Sequence, residues 1–166
     1  MSGIPTKYLP DTLSFSDKRS QSQMIQKSRR LYKKRQYYTR KRLPSYTNRV
    51  SKHIRKARKI YNVEQITPNR KLANATGCSV SALRKIVNKG EGAYYSSGSR
   101  PNQTPQSWGL ARLASAITGG KSAAVDYDII RDGCRHTRKA YRLANNAKRK
   151  YGYGHSTTKS GNIYGE

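Results

Sequence analysis

The stretch from Ala114 to Gly133, ASAITGGKSAAVDYDIIRDG, decides between a nucleotide-binding α/β fold and a helical fold, because it contains Gly-Gly-Lys-Ser. A phosphate-binding loop of the Walker type follows a strand and needs a further glycine, which here would stand at position 115. That position is Ser115, and apolar residues recur around it at helical spacing (Leu110, Leu113 and Ile117). The stretch therefore predicts that Gly119 and Gly120 end one helix and that Lys121 begins the next.

Upstream, residues 66–90 (ITPNRKLANATGCSVSALRKIVNKG) have fewer charges and place apolar side chains at helical intervals. We expect Thr76 and Gly77 to close a first helix and Ser79 to cap a second, which ends at residues 88–90. Such a pair also fits a helix-turn-helix, although short helix pairs are common in purely structural roles. In the DNA-binding alternative, the candidate contact residues are Ser79, Ser81, Arg84 and Lys85.

Residues 91–106, EGAYYSSGSRPNQTPQ, are so rich in Gly, Ser, Pro and Asn that they predict a long polar loop. Composition favours a mobile loop, but a loop of this length in a small domain is usually functional or held by a partner. Because the resemblance of this chain to a known family is strongest in this stretch, we nevertheless predict that residues 92–106 are ordered and help to cap the neighbouring helices. The side chains expected to hold the loop or to face a neighbour are Tyr94, Tyr95, Arg100, Asn102 and Trp108.

The first third of the chain predicts two basic amphipathic helices separated near Pro44. Ser16 is the expected N-cap of the first helix, whose apolar face would carry Met24, Ile25, Leu31 and Tyr32. The second is expected within residues 48–63. The chain is thus predicted to be mainly α, with a basic helical arm (1–60), a small compact helical domain (61–150) and an extended Gly- and Tyr-rich tail (151–166).

Positive charge dominates the composition. The 166 residues include 35 Lys and Arg but only 8 Asp and Glu, a net charge of +27, and the mean hydropathy is −0.97. Such a chain needs anions nearby, which can be nucleic acid, acidic lipid headgroups or acidic protein surfaces. The residues predicted to bind a partner are basic side chains of the arm: Arg29, Arg30, Lys33, Lys34, Arg35, Arg40, Lys41, Arg42, Arg55, Lys56, Arg58 and Lys59.

The two cysteines, Cys78 and Cys134, are too few for a disulfide framework, and we expect two small thiols that are buried or half-buried. Cys134 and His136 lack further clustered ligands, so no metal site is predicted. The sequence has no apolar run that could span a bilayer and no apolar core of a signal peptide. We therefore expect a protein made and used in a reducing compartment.

The acidic residues Asp126, Asp128 and Asp132 are expected on one helix. Asp128 and Asp132 share a face of this helix because they are four residues apart. Pairing with Arg131, Arg135 or the basic arm explains them more simply than catalysis does. The Ser, Cys and His residues show no nucleophile signature. We expect neither enzyme activity nor a cofactor.

Thirteen tyrosines, several of them interleaved with basic residues, allow two interpretations. Their rings could stack nucleobases while the cations bind phosphates. They could equally belong to protein interfaces, because tyrosine offers a large ring and a hydroxyl at low conformational cost.

Several blocks resemble a family of small basic proteins of nucleocytoplasmic large DNA viruses, especially algal viruses of the chlorovirus type. They are KSRRLYKKRQYYTRKRLPSY, KARKIYNV, the run from TGCSVSALRKIV to YDIIRDGC, and GYGHS. The resemblance implies a virion protein without enzymatic activity, made in the host cytoplasm and placed in the capsid interior. It further implies contacts with the major capsid protein, other minor capsid proteins and the acidic surface of an inner membrane. The alternative, from charge and the helix pair, is a protein that binds or packages DNA.

Overall fold

The computed structural model describes residues 3–152, and within them the chain is mainly helical and has no β-strand. The predicted fold class is therefore confirmed. A 3₁₀ turn at Thr6–Tyr8 precedes the α-helices. These are α1 (Phe15–Lys33), α2 (Lys52–Tyr61), α3 (Arg70–Thr76), α4 (Val80–Ser96), α5 (Pro105–Ile117), α6 (Lys121–Val125), α7 (Tyr127–Gly133) and α8 (Lys139–Tyr151). The predicted tail, 151–166, lies outside the described residues except for its first two.

The described chain divides into two units, each discontinuous in sequence. Unit 1 consists of residues 3–49 and 91–108, and unit 2 of residues 50–90 and 109–152. The sequence instead predicted three consecutive segments. In the part of the chain that the structure describes, no helix is both long enough and apolar enough to cross a membrane.

Alanine is the commonest residue in the core of unit 2, where it packs with leucine, isoleucine and valine. Leu72, Leu83, Leu113 and Ile130 are fully buried there. Seven alanines of α5, α6 and α8 are buried around them. Small side chains let helices approach closely, and a Cβ added to Gly90 would lie 2.6 Å from Cα of Gly109. The packing of unit 2 thus depends on small residues together with larger aliphatic side chains.

The helix boundaries predicted at Gly77 and Gly119–Gly120 are confirmed. Gly77 ends α3 in the left-handed conformation (φ +78°), and Gly119 has φ +74°. Gly120 is the N-cap of α6. The Ser79 hydroxyl accepts a hydrogen bond from the Ala82 amide at 3.0 Å, as expected of the residue that caps α4.

Two helix predictions are wrong. Helix α4 continues through Gly90 to Ser96, six residues further than predicted, because Tyr94 on its last turn is fully buried. Burial of a tyrosine outweighs the roughly 1 kcal/mol that a glycine costs inside a helix. The single helix expected over residues 121–133 is interrupted at Asp126, which separates α6 from α7.

The expectation of two thiols is also wrong, because Cys78 and Cys134 form a disulfide. The two residues make an isolated antiparallel bridge in which the Ser79 amide bonds the Gly133 carbonyl and the Arg135 amide bonds the Gly77 carbonyl. The pairing joins the α3–α4 turn to the end of α7 across a sequence separation of 56. A count of two cysteines could not reveal it, because the partners meet only in the fold.

Unit 1 has a small apolar core of Ile4, Tyr8, Leu9 and Ile25, against which Trp108 packs. The buried face of α1 is mostly polar, since Gln21, Ser22 and Ser28 flank Ile25. The predicted apolar face is therefore corrected: Ile25 is buried and Met24 and Leu31 are half-buried, but Tyr32 is 37% exposed. The N-cap is Ser14 rather than Ser16, because the Ser14 hydroxyl accepts from the Asp17 amide at 3.2 Å.

The loop prediction is partly confirmed. Residues 91–96 are helical, so the loop is shorter than expected. The remaining loop does pack on its own unit: the Trp108 and Tyr8 rings make an edge contact at 5.8 Å. The Asn102 side chain bonds both the amide (2.6 Å) and the carbonyl (3.1 Å) of Leu43. Thr104 and Ser107 exchange hydrogen bonds at the start of α5, which is the predicted capping, while Arg100 is exposed.

Candidate functional site

The strongest candidate site is the cationic part of unit 1. Between Asp17 and Glu64 the sequence has 17 basic residues and no acidic one. In unit 1 this stretch forms α1 and the extended segment that follows it. Some predicted contact residues of unit 1 have exposed side chains with no ion pair or hydrogen bond among the described residues. We call these residues the basic surface. They are Arg30, Lys33, Lys34, Arg35, Lys41 and Arg42.

Two predicted contact residues of the arm are engaged inside unit 1 instead. Arg40 is only 8% exposed. Its guanidinium donates to the Tyr94 carbonyl at 2.8 Å and to the Ser28 and Ser99 hydroxyls at 3.2 and 2.7 Å. Arg29 is half-buried and donates to the Ser97 carbonyl at 2.9 Å. The prediction that these arginines bind a partner is therefore corrected, since their donors are used within the fold.

Arg40 is a buried cation surrounded by neutral groups. Its guanidinium carbon lies 3.7 Å from the centroid of the Tyr94 ring, close enough for a cation–π interaction. The Tyr94 hydroxyl accepts a hydrogen bond from the Arg40 amide at 2.9 Å. Burial lowers the pKa of Arg40, and the nearby tyrosines oppose this shift. Arg40 thus fixes the position of the C-terminal turn of α4, where the side chains of Tyr94 and Tyr95 begin.

A cleft of about 450 Å³ adjoins the basic surface. Its walls include Lys27, Tyr38, Lys41 and Arg42. The Lys27 ammonium lies 4.4 Å from the centroid of the Tyr38 ring. Asp17 also lines the cleft, but its carboxylate accepts from the Ser45 amide (3.0 Å) and hydroxyl (2.6 Å). These bonds lower the pKa of Asp17 and keep it an acceptor, so the cleft offers an anion three cations and one carboxylate.

The predicted contact residues of α2 lie in unit 2. All are exposed: Arg55, Lys56, Arg58 and Lys59. Arg58 donates to the Glu64 carbonyl at 2.8 Å, and Arg55 to the Val50 carbonyl at 3.4 Å. The two lysines have no such bond among the described residues. The predicted list is thus divided between the two units.

The residues of the DNA-binding alternative lie at the start of α4. A turn of Gly77, Cys78 and Ser79 joins α3 to α4, as in many helix-turn-helix units. The Ser79 hydroxyl is used as the cap of α4. The other three side chains, Ser81, Arg84 and Lys85, are exposed on its first turns. The structure therefore brings three of the four candidates to an accessible part of one helix.

A second cleft, of about 730 Å³, adjoins the disulfide in unit 2. Ser79, Asp132, Arg135 and Arg138 are among its lining residues. Arg138 donates to the Asn74 and Ala75 carbonyls at 2.8 and 3.0 Å and so caps the C-terminus of α3. This cleft has mixed charge, and its Arg138 already has hydrogen-bond partners. The basic surface is therefore the stronger candidate for an anion-binding site.

Three carboxylates of unit 2 are paired with cations. Asp128 and Asp132 bond Arg131 at 3.2 and 2.9 Å, as predicted. Asp126 was expected to pair with Arg131, Arg135 or the basic arm, but its side chain is fully buried between Arg112 (2.7 Å) and Lys89 (3.0 Å). Sequence reasoning missed this triad because its members come from α4, α5 and the junction between α6 and α7. Among residues 3–152 no cluster of three or more His, Cys, Asp or Glu side chains could hold a metal ion.

The sequence profile of DUF5824, a family of unknown function, matches residues 5–132. The chain belongs to this family. The DUF5824 match includes α1 to α6 and most of α7, and hence the basic surface, the buried Arg40 and the α3–α4 pair. It ends before Cys134 and α8. No curated protein and no solved structure matches the chain.

Proposed function

We propose that the protein is a non-enzymatic structural protein of a virion, a minor capsid component whose basic surface binds acidic faces of the major capsid protein and of other minor capsid proteins. The observation that carries this proposal is the set of six exposed cations without a partner among the described residues. An array of like charges repels itself and is stabilised when acidic groups approach it. The virion context rests on the resemblance to proteins of large DNA viruses.

The basic surface suits a protein partner in one further respect. Its cations include both lysine and arginine, and arginine binds carboxylates with two parallel hydrogen bonds. An acidic membrane surface carries similar negative charge, but its headgroups are not held in a fixed geometry. Contacts with an inner membrane are therefore a secondary part of the proposal.

The test is incorporation into particles. Purified virions are analysed by quantitative mass spectrometry for the wild-type protein and for the double variant Lys33→Gln, Lys34→Gln. We expect the wild type to copurify with the capsid and the variant to be depleted, because two unpaired cations are lost without a change in the core. The matched control is Lys18→Gln, which removes a lysine of α1 that already pairs with Asp11 at 3.2 Å. Absence of the wild type from particles, or full incorporation of the double variant, contradicts the proposal.

The second candidate function is sequence-specific DNA binding by α3 and α4. It is favoured by the exposure of Arg84 and Lys85 just after the glycine-containing turn. Binding at low salt does not test it, because any chain of this charge binds duplex DNA through counterion release. The test is a selection of bound sequences from a pool of random DNA duplexes. Discrimination that is lost in Arg84→Ala but kept in the control Arg55→Ala supports this function, and a selection without a consensus sequence excludes it.

A further inference from the structure

Three tyrosine rings of unit 1 form a surface cluster. The ring centroids of Tyr32 and Tyr37 are 6.2 Å apart, those of Tyr37 and Tyr95 5.1 Å, and those of Tyr32 and Tyr95 6.4 Å. Tyr37 is 69% exposed and Tyr32 is 37% exposed. We call these three residues the tyrosine cluster. Its outermost ring contributes little to the core, so the need to bury apolar area does not explain the ring of Tyr37.

The inner side of the tyrosine cluster is fixed by the fold. The Tyr95 carbonyl accepts a hydrogen bond from the Ser28 hydroxyl at 2.9 Å. The Tyr95 ring makes an edge contact at 5.2 Å with Tyr94, which is itself fully buried beneath Arg40. The rings therefore rest on an ordered base, and a ligand that stacks on them does not have to order them first.

Unpaired cations flank the cluster along the chain. Lys33, Lys34 and Arg35 lie between Tyr32 and Tyr37, and all three belong to the basic surface. Arg35 has a left-handed backbone (φ 59°). The other non-glycine residues with positive φ, within residues 3–152, are Asn62 and Asn102, and asparagine tolerates that region well. An arginine at this position carries a backbone penalty that no contact of its side chain among the described residues offsets.

We propose that the tyrosine cluster is a stacking site for the unpaired bases of single-stranded nucleic acid, whose phosphates are bound by Lys33, Lys34 and Arg35. A single strand offers both an exposed aromatic face and a regularly spaced negative charge, which match the exposed ring and the adjacent cations. A duplex hides its base faces within the stack, and an acidic protein segment matches the charges but supplies no nucleobase to stack on the ring. This site goes beyond the proposed capsid role and does not depend on it.

The experiment measures fluorescence anisotropy of a labelled oligo-dT of about 20 nucleotides, longer than the roughly 4–16 nucleotides that a single-strand-binding fold typically occupies. The full-length chain is compared with Tyr37→Ala, Tyr37→Phe and Phe15→Ala. Loss of one base–aromatic stack lowers affinity by roughly 5- to 150-fold, so Tyr37→Ala is expected to weaken binding within this range. Tyr37→Phe keeps the ring and is expected to bind like the wild type.

Phe15→Ala is the matched control, because Phe15 is another exposed ring of unit 1 (61%) but lies outside the cluster. It is expected to leave the affinity unchanged. An abasic strand of equal length separates stacking from charge: Tyr37→Ala weakens binding of oligo-dT but not of the abasic strand. Direct binding of poly-glutamate, measured without a label by isothermal titration calorimetry, is also expected to be insensitive to Tyr37→Ala.

Three outcomes overturn the proposal. The first is an unchanged affinity of Tyr37→Ala for oligo-dT, and the second an equal loss for the abasic strand. The third is a loss that is as large for poly-glutamate as for oligo-dT, which would assign the cluster to an acidic protein. Because Tyr37 is mostly exposed, the variant keeps the fold, and near-ultraviolet circular dichroism confirms this for each protein used.

Discussion

Replacing Arg40 by methionine tests whether this cation belongs to the interior of unit 1. Methionine retains much of the apolar volume but leaves the Tyr94 carbonyl, now bonded at 2.8 Å, without its donor. A buried acceptor without a partner costs about 1–3 kcal/mol. Loss of the cation–π contact at 3.7 Å adds up to about 2 kcal/mol. Removing a buried charge recovers part of its desolvation penalty, so we expect a net loss of about 1–4 kcal/mol in the free energy of unfolding.

The assay is urea unfolding followed by the fluorescence of Trp108, the only tryptophan of the chain, which packs on the core of unit 1. Arg42→Met is the control, since Arg42 is exposed and unpaired among the described residues. It should change the free energy of unfolding by less than about 0.5 kcal/mol. If Arg40→Met unfolds like the wild type but loses partner binding, Arg40 is a contact residue and its assignment to the interior is wrong.

Three further changes test other parts of the fold by thermal or denaturant unfolding. Replacing Cys78 and Cys134 by serine should destabilise the protein by about 4 kcal/mol, because the disulfide closes a loop across 56 positions; an unchanged midpoint would contradict this. Gly90→Ala should lower stability by about 1–3 kcal/mol, since its Cβ would lie 2.6 Å from the backbone of α5, whereas Gly92→Ala, with no neighbour closer than 3.7 Å, should raise it. Arg35→Gly should stabilise unit 1 by about 1 kcal/mol by relieving the positive φ, yet weaken binding of oligo-dT; a loss of stability would refute the strain.

The local parts of the fold could be predicted from the sequence. Gly77, Ser79, Gly119 and Gly120 were correctly identified as helix boundaries, because capping depends on residues close in sequence. The end of α4 could not be predicted in this way. Its glycines indicate a stop, but burial of Tyr94 carries the helix to Ser96. Tertiary packing thus overrides a local signal where a large side chain reaches the core.

The candidate site was predictable only as a charge, not as a geometry. Arg40 and Arg42 look alike in sequence, and both were predicted to bind a partner. Their difference arises because Tyr94 and Ser99, which lie 54 and 59 residues beyond Arg40 in the chain, meet Ser28 of α1 around Arg40 alone. The same limit applies to the disulfide. Contacts between segments that are distant in sequence determine both the burial of Arg40 and the disulfide, and no local sequence pattern indicates either.

Charge by itself cannot identify the partner of such a basic chain. Any polyanion binds it at low salt, because binding releases counterions. The contributions of the basic-surface lysines and of the Tyr37 ring to affinity depend differently on the salt concentration. A variant that removes Lys33 and Lys34 should reduce the salt dependence of binding to any anion, whether nucleic acid or acidic protein. Tyr37→Ala removes no charge and should leave the salt slope unchanged while lowering affinity only for a ligand that stacks. Salt titration of both variants therefore separates the attraction common to all anions from the recognition of one class of ligand.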